Sequence, residues 1–246
     1  MITYIITFCI SLYFIWLSQR SGKIARIVML ALGIGFPAFI AGVRDFSGGT
    51  DTYMYQRIIY QLVSKSTTFS RAIINTDASL ERSYIIIAYY SSHIIKNPFF
   101  FQSIVSLITI CLLFWGSLKS KCNLVWLFFL FFFMYYNATL NIQRQAMALG
   151  ACTVSLAYLI DKRYLFAALA LILAYFFHHS AVIFLFILIL YILCIKWQGL
   201  LEKKTIYILT MIICLAVIIL FSVLLQYVVD AGLVDARFED RYGNSD

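Results

Sequence analysis

Apolar residues along this chain come in blocks of 14 to 25, separated by short polar punctuation. The blocks are Ile2 to Leu17, Ile24 to Val43, Pro98 to Leu118, Asn123 to Leu140, Ala146 to Ile160, Tyr164 to Phe177, Ser180 to Ile195 and Thr205 to Val229. A helix that is apolar on every face cannot be solvated by water and belongs in a core or in lipid. A bilayer core about 30 Å thick needs about 20 helical residues to cross, so the eight blocks predict eight spans. A further stretch, Tyr84 to Ile95, is apolar but short; it contains Ser91, Ser92 and His93 and is closed by Lys96 and Pro98, which predicts a re-entrant or interfacial helix. The expected fold is therefore all-α: a polytopic integral membrane helical bundle of about eight spanning helices plus one short re-entrant or interfacial helix. No repeat or soluble domain interrupts the pattern. Residues 1–246 are read as a single membrane domain whose sizeable extramembrane segment is the loop 44–83.

Composition removes the soluble alternative, since 63% of residues are hydrophobic and only 12% charged. Charge then orients the bundle. Alternating the eight spans puts Arg20, Lys23, Arg26, Lys119, Lys121, Lys162, Arg163, Lys196, Lys203 and Lys204 on one side against Asp161 and Glu202, while the opposite side carries equal numbers of basic and acidic residues. The basic side is expected to be cytoplasmic, with both termini and the loop 44–83 outside. The basic balance thus reflects topology and gives no reason to expect a nucleic-acid partner. The first block lacks a basic n-region and a small-residue cleavage site, so it is read as a retained helix. Cys9, Cys111, Cys122, Cys152, Cys194 and Cys214 have neither metal-ligand spacing nor a disulfide framework and are expected to be small core residues.

Polar groups that lipid penalises cluster in three places, all on the expected outer side. The first is Arg44-Asp45-Phe46-Ser47-Gly48-Gly49-Thr50-Asp51, leading into a short helix expected over Thr52 to Val63. Its glycines, a helix N-terminus and Arg44 can together hold a phosphate; alternatively Asp51 caps the helix and Arg44 pairs with Asp45. In the second cluster Asn137, Asn141, Arg144 and Gln145 are three or four residues apart, which on a helix predicts one polar face. That face presents Arg144 to an anion, unless Arg144 merely snorkels. The third is His178-His179-Ser180, between two blocks too short to cross fully, so the turn is expected to be recessed, with a histidine able to exchange protons near neutral pH. Glu81 is read as a general base or as the ion-pair partner of Arg82. Tyr53, Tyr55, Tyr135 and Tyr136 are read as interface anchors or sugar-stacking platforms.

At these residues the sequence resembles the Wzy-like, EpsG-type family of bacterial O-antigen and exopolysaccharide polymerases. The resemblance rests on Arg44, Gly49-Thr50-Asp51 and Tyr55, then Glu81 and Tyr84, then Arg144-Gln145-Ala146-Met147-Ala148, then Phe177-His178-His179-Ser180, in that order and at matching separations. Each motif alone is weak, and their succession carries the specificity. The resemblance implies a membrane glycosyltransferase that moves a growing glycan from undecaprenyl pyrophosphate to another lipid-linked repeat unit. The reaction belongs to exopolysaccharide or lipopolysaccharide biosynthesis at the outer face of the bacterial inner membrane. Such a reaction needs cations near the departing pyrophosphate and a base near the acceptor hydroxyl, which nominates Arg44 and Arg144 for the first role and His178, Asp51 or Glu81 for the second. Gly49, Thr50, Tyr55, Asn141 and Gln145 are the accompanying substrate-binding candidates. No metal-ligand constellation is visible in the sequence, so a metal-independent enzyme without a cofactor is expected. Expected partners are the undecaprenyl-pyrophosphate-linked oligosaccharide, the lipid bilayer, a chain-length regulator and a flippase.

Relatives are generally longer, so the chain is expected to lack further C-terminal helices. Two other readings remain. One is a lipid-linked oligosaccharide flippase or exporter, which would carry polar groups through its midplane, where this sequence is apolar. The other is an O-antigen ligase-like glycosyltransferase, which differs only in acceptor.

Overall fold

The computed structural model describes residues 2–45, 52–76 and 80–197 together with positions 205, 208, 211 and 212. Every regular element among them is helical: α1 (Ile2–Ser18), α2 (Lys23–Gly42), α3 (a π-helical stretch Tyr53–Ile59 continuing as Tyr60–Ser64), α4 (Phe69–Asn75), α5 (Arg82–Ile94) and α6 (Pro98–Lys119). Then come α7 (Leu124–Leu130, a π turn Phe131–Tyr135, then Tyr136–Thr139), α8 (Gln143–Ile160), α9 (Tyr164–Phe177) and, after a 3-10 turn His179–Ala181, α10 (Val182–Trp197). The chain divides into two compact units, Met1–Leu185 and Phe186–Asp246. The first holds α1 to α9 and the start of α10. For the second, the described residues are the rest of α10 and the helical positions 205, 208, 211 and 212.

Local chemistry sets the helix limits. The Asn97 side chain accepts from Phe99 N–H, and Pro98 opens α6 where a missing N–H does no harm. Asn123 caps α7 in the same way, accepting from Val125 and Trp126 N–H. Helices α6 and α8 both end in a left-handed residue, Lys121 (φ 56°) and Lys162 (φ 58°), each followed by an N–H that reaches back five residues to a helix carbonyl. These are tight reversals made without glycine.

The expected apolar blocks match helices to within a few residues, and α9 has the expected bounds. By length and composition α2 and α6, at 20 and 22 residues, suffice to cross a membrane; Ile2–Ser18, Leu124–Thr139, Tyr164–Phe177 and His179–Leu193 are apolar but shorter. The block Thr205 to Val229 lies almost wholly outside the described residues. Both ends of α5 are tied to the first turns of α6. The Tyr84 ring meets Phe101 at 5.3 Å, and Tyr60, which stacks on Phe101 at 5.6 Å, donates to the Ile95 carbonyl at 3.4 Å. With 13 residues α5 makes about 20 Å of helix, less than the thickness of a bilayer core.

Close backbone approaches hold the bundle. A Cβ on Gly42 would sit 2.7 Å from the Phe99 carbonyl oxygen, so the end of α2 lies against the start of α6. Gly150 faces Leu112 and Gly116 faces Thr153, which makes α6 and α8 parallel neighbours. One buried cluster joins Phe8, Ile34, Phe128, Phe132 and Tyr136 from α1, α2 and α7, with Phe8 stacked on Phe132 at 5.0 Å. A second joins Tyr55, Tyr60, Tyr84, Phe101, Met147 and Phe177, packed around the site below.

Two expectations are corrected here. Cys9 and Cys111 lie exposed on helix surfaces and Cys122 lies exposed in the turn between α6 and α7, so only Cys152 of the four described thiols is buried; in an all-round apolar helix cysteine is as compatible with the outer surface as with the core. Tyr55 and Tyr136 are buried, so neither is an interface anchor or a stacking platform; Tyr53 is exposed and Tyr135 half-buried.

Candidate active site

Four chain segments far apart in sequence meet at one end of the first unit. Glu81, at the N-terminal edge of α5 and 4% exposed, extends one carboxylate oxygen to each of two partners. Its Oε2 takes the Arg144 Nη1–H from the first turn of α8, and its Oε1 lies 2.5 Å from His178 Nδ1, in the bend between α9 and α10. The expected local pairing with Arg82 is replaced by these partners, because the start of α5 points the carboxylate inward while Arg82 is exposed. Burial pushes the Glu81 pKa up. The hydrogen bond with His178 and the charge of Arg144 more than offset that, leaving it at about 2. The carboxylate is therefore ionised at neutral pH and has both oxygens engaged.

Arg144 is held on three sides. Its Nε–H donates to the Tyr55 hydroxyl at 3.0 Å, its guanidinium carbon lies 5.1 Å from the Tyr55 ring centroid, and Nη1 meets Glu81. A merely snorkelling arginine would extend into solvent. The Tyr55 ring packs on Tyr84 at 5.1 Å, and the Tyr84 hydroxyl donates to Gln143 Oε1 at 2.6 Å. Gln143 Nε2 in turn donates to the Leu140 carbonyl at 3.1 Å. That carbonyl also accepts from Arg44, whose Nη2 donates to Thr52 Oγ1 as well. One connected set of contacts thus runs from Arg44 through Leu140, Gln143, Tyr84, Tyr55 and Arg144 to Glu81 and His178.

Arg44 is 8% exposed, and its hydrogen bonds go to neutral oxygens. Burial lowers its pKa, and the phenols of Tyr4, Tyr136 and Tyr84 oppose that shift. It stays a cation, since a guanidinium keeps its proton in proteins. Gly42 makes this placement possible: the close approach of α2 to α6 delivers Arg44 beside Thr52 and the end of α7.

The polar stripe is corrected. A turn at Leu140–Ile142 separates α7 from α8, so Asn137 and Asn141 do not share a continuous helix with Arg144 and Gln145. Asn137, Asn141 and Gln145 are exposed, while Arg144 is half-buried and turned to Glu81. Gln143, which no sequence motif marks, is 2% exposed and central to the contact set. Tyr84 stands in the Glu81 motif, which gives no hint of its role; its buried hydroxyl bonds Gln143. Gly49, Thr50 and Asp51 lie outside the described residues. His178 is half-buried and paired with Glu81, whereas His179 is exposed beside Tyr175, with ring centroids 5.0 Å apart.

Chemically the arrangement offers two cations and an imidazole oriented by a buried carboxylate. A carboxylate on Nδ1 fixes the tautomer and leaves Nε2 for proton exchange. Searches of curated proteins and of solved structures each gave no match. The family model described as EpsG matches residues 27–244, most of the chain, and the protein belongs to the EpsG family.

Proposed function

We propose that this membrane protein of the polysaccharide-polymerase type transfers a glycan from undecaprenyl pyrophosphate to a hydroxyl at the non-reducing end of another lipid-linked repeat unit, on the outer face of the inner membrane. The observation that carries this reading is Glu81 bridging Arg144 and His178 at the meeting of three segments. In the proposed step the acceptor oxygen forms a bond to the anomeric carbon, and the bond from that carbon to the pyrophosphate oxygen breaks. The pyrophosphate leaves with the electron pair, and the acceptor proton passes to His178 Nε2. Arg144 and Arg44 stabilise the charge that grows on the leaving pyrophosphate.

Of the three candidate bases the geometry favours His178. Glu81 has both oxygens occupied and acts as a positioning residue. Asp51, with Gly49 and Thr50, is proposed as part of the pyrophosphate-binding segment ahead of Thr52. A transporter's polar path finds little support in the bundle, where the buried hydroxyls of Thr109 and Ser117 bond back to carbonyls of their own helix. The test is incubation of purified protein with a lipid-linked repeat. A ladder of longer glycans with release of undecaprenyl pyrophosphate is expected; translocation of the intact substrate across vesicles without a ladder would assign the flippase instead.

A further inference from the structure

A second feature lies at the opposite end of α6 and α8. A groove of about 290 Å³ opens between α6, α8 and α9, lined by Leu112, Trp115, Ala151, Tyr158, Phe166 and Ala170 among other apolar residues. Ala151 and Ala170 form a low floor, since neither side chain extends past Cβ, and aromatic rings form the walls. Tyr158 stacks on Phe166 at 5.4 Å and meets Trp115 edge-on at 6.3 Å. This size is at the small end of ligand cavities.

Cations gather at one mouth of the groove. Lys119 Nζ lies 5.5 Å from the Tyr158 ring centroid. Just beyond Tyr158 the chain reverses: Arg163 N–H returns to the Tyr158 carbonyl at 2.9 Å, with Lys162 left-handed at the bend. The exposed loop Asp161-Lys162-Arg163 is thus pinned to the groove's edge, and the exposed Lys121 follows two residues after Lys119. Against these four basic residues the two turns carry one acid, Asp161.

An apolar trough with a cationic mouth has the polarity of an amphiphile with an anionic head. We propose that the groove binds an anionic phospholipid of the cytoplasmic leaflet, with one acyl chain against Trp115, Tyr158 and Phe166 and the phosphate at Lys119, Lys162 and Arg163. The charged head cannot be the carrier pyrophosphate engaged by Arg144. Arg144 and Tyr158 are 14 residues apart on one helix, about 21 Å along its axis. The inference rests on membrane residence and on the orientation expected from charge, not on the proposed chemistry.

Trp115 is 49% exposed and lines the groove, so it reports occupancy. Full-length protein with Trp16, Trp126 and Trp197 replaced by Phe would be reconstituted in phosphatidylcholine vesicles holding a graded fraction of brominated phosphatidylglycerol or brominated phosphatidylcholine. Trp115 fluorescence is expected to half-quench at a fraction at least about five-fold lower for the brominated anionic lipid. Lys119→Gln with Lys162→Gln and Arg163→Gln should abolish that preference, and Arg20→Gln with Arg26→Gln, on the same expected face but away from the groove, should preserve it. Ala170→Phe, which fills the floor, should weaken quenching by both lipids. Equal quenching by the two lipids in the parent, a preference that survives the triple change, or relief of quenching by a polyprenyl phosphate but not by unbrominated phosphatidylglycerol would each overturn the proposal.

Discussion

Replacing Glu81 by Gln keeps the side chain's shape and removes the charge that Arg144 and His178 share. The carboxyl is 4% exposed and its pKa falls from 4.5 to about 2 on folding. At 1.36 kcal/mol per unit that difference corresponds to about 3 kcal/mol of stability at neutral pH. The sign follows from the direction: the folded pKa is depressed, so the contribution is fully present above pH 4.5 and is lost as pH falls towards 2. About 2 kcal/mol of it should go between pH 7 and pH 3. Thermal unfolding in detergent, followed by tryptophan fluorescence across that range, is the assay. The parent should lose melting temperature steadily below pH 4.5, while Glu81→Gln starts lower by several degrees and changes less with acidification. A cycle combining Glu81→Gln with Arg144→Gln isolates the pair and should give a coupling above about 1 kcal/mol. If the single variant melts like the parent at pH 7 and the coupling is close to zero, the bridge does not hold these segments together, and the site as described is wrong.

Further outcomes follow from the same geometry. Arg144→Lys should reduce polymerisation at least about 100-fold with normal insertion, because lysine keeps the charge but loses the fork that reaches Glu81 and Tyr55 together; near-parental ladders would point to a dispensable cation. Gly42→Val should lower the melting temperature by an amount matching about 1–3 kcal/mol and displace Arg44, since the new side chain meets the fixed Phe99 carbonyl; unchanged stability would show that α2 and α6 are not that close. Single cysteines at positions 50, 82 and 179, in a background without native cysteines, should react with an impermeant reagent from outside, and those at 121 and 162 only from the cytoplasm. The reverse pattern would invert the orientation.

The sequence made the helices legible because lipid and core impose the same demand, continuous apolarity. For the same reason it concealed which face of each helix is inside, and three exposed cysteines were read as core. The stripe from Asn137 to Gln145 crossed the gap between the apolar blocks ending at Leu140 and beginning at Ala146, and the turn at Leu140–Ile142, with neither proline nor glycine, gave no local sign of where the helix stops. Arg44, Glu81, Arg144 and His178 were recognisable from motif order and charge placement. Their pairing was not, because Glu81 meets partners 63 and 97 positions away and local rules offered Arg82 instead. Gln143 carried no signal beyond standing next to Arg144; its role appears only once α8 is seen to begin there, over the Tyr84 hydroxyl.

The most direct test of the central claim compares two adjacent histidines. His178 hydrogen-bonds Glu81 and presents its remaining ring nitrogen for proton transfer, while His179 lies exposed beside Tyr175. Purified His178→Ala and His179→Ala proteins, matched for amount and melting temperature, would be reconstituted with a lipid-linked repeat unit and their glycan ladders compared with the parent's. The account predicts a ladder from His179→Ala close to the parental one and at least about a 100-fold loss of chain extension in His178→Ala. Equal activity in both, or a loss confined to His179→Ala, would contradict it.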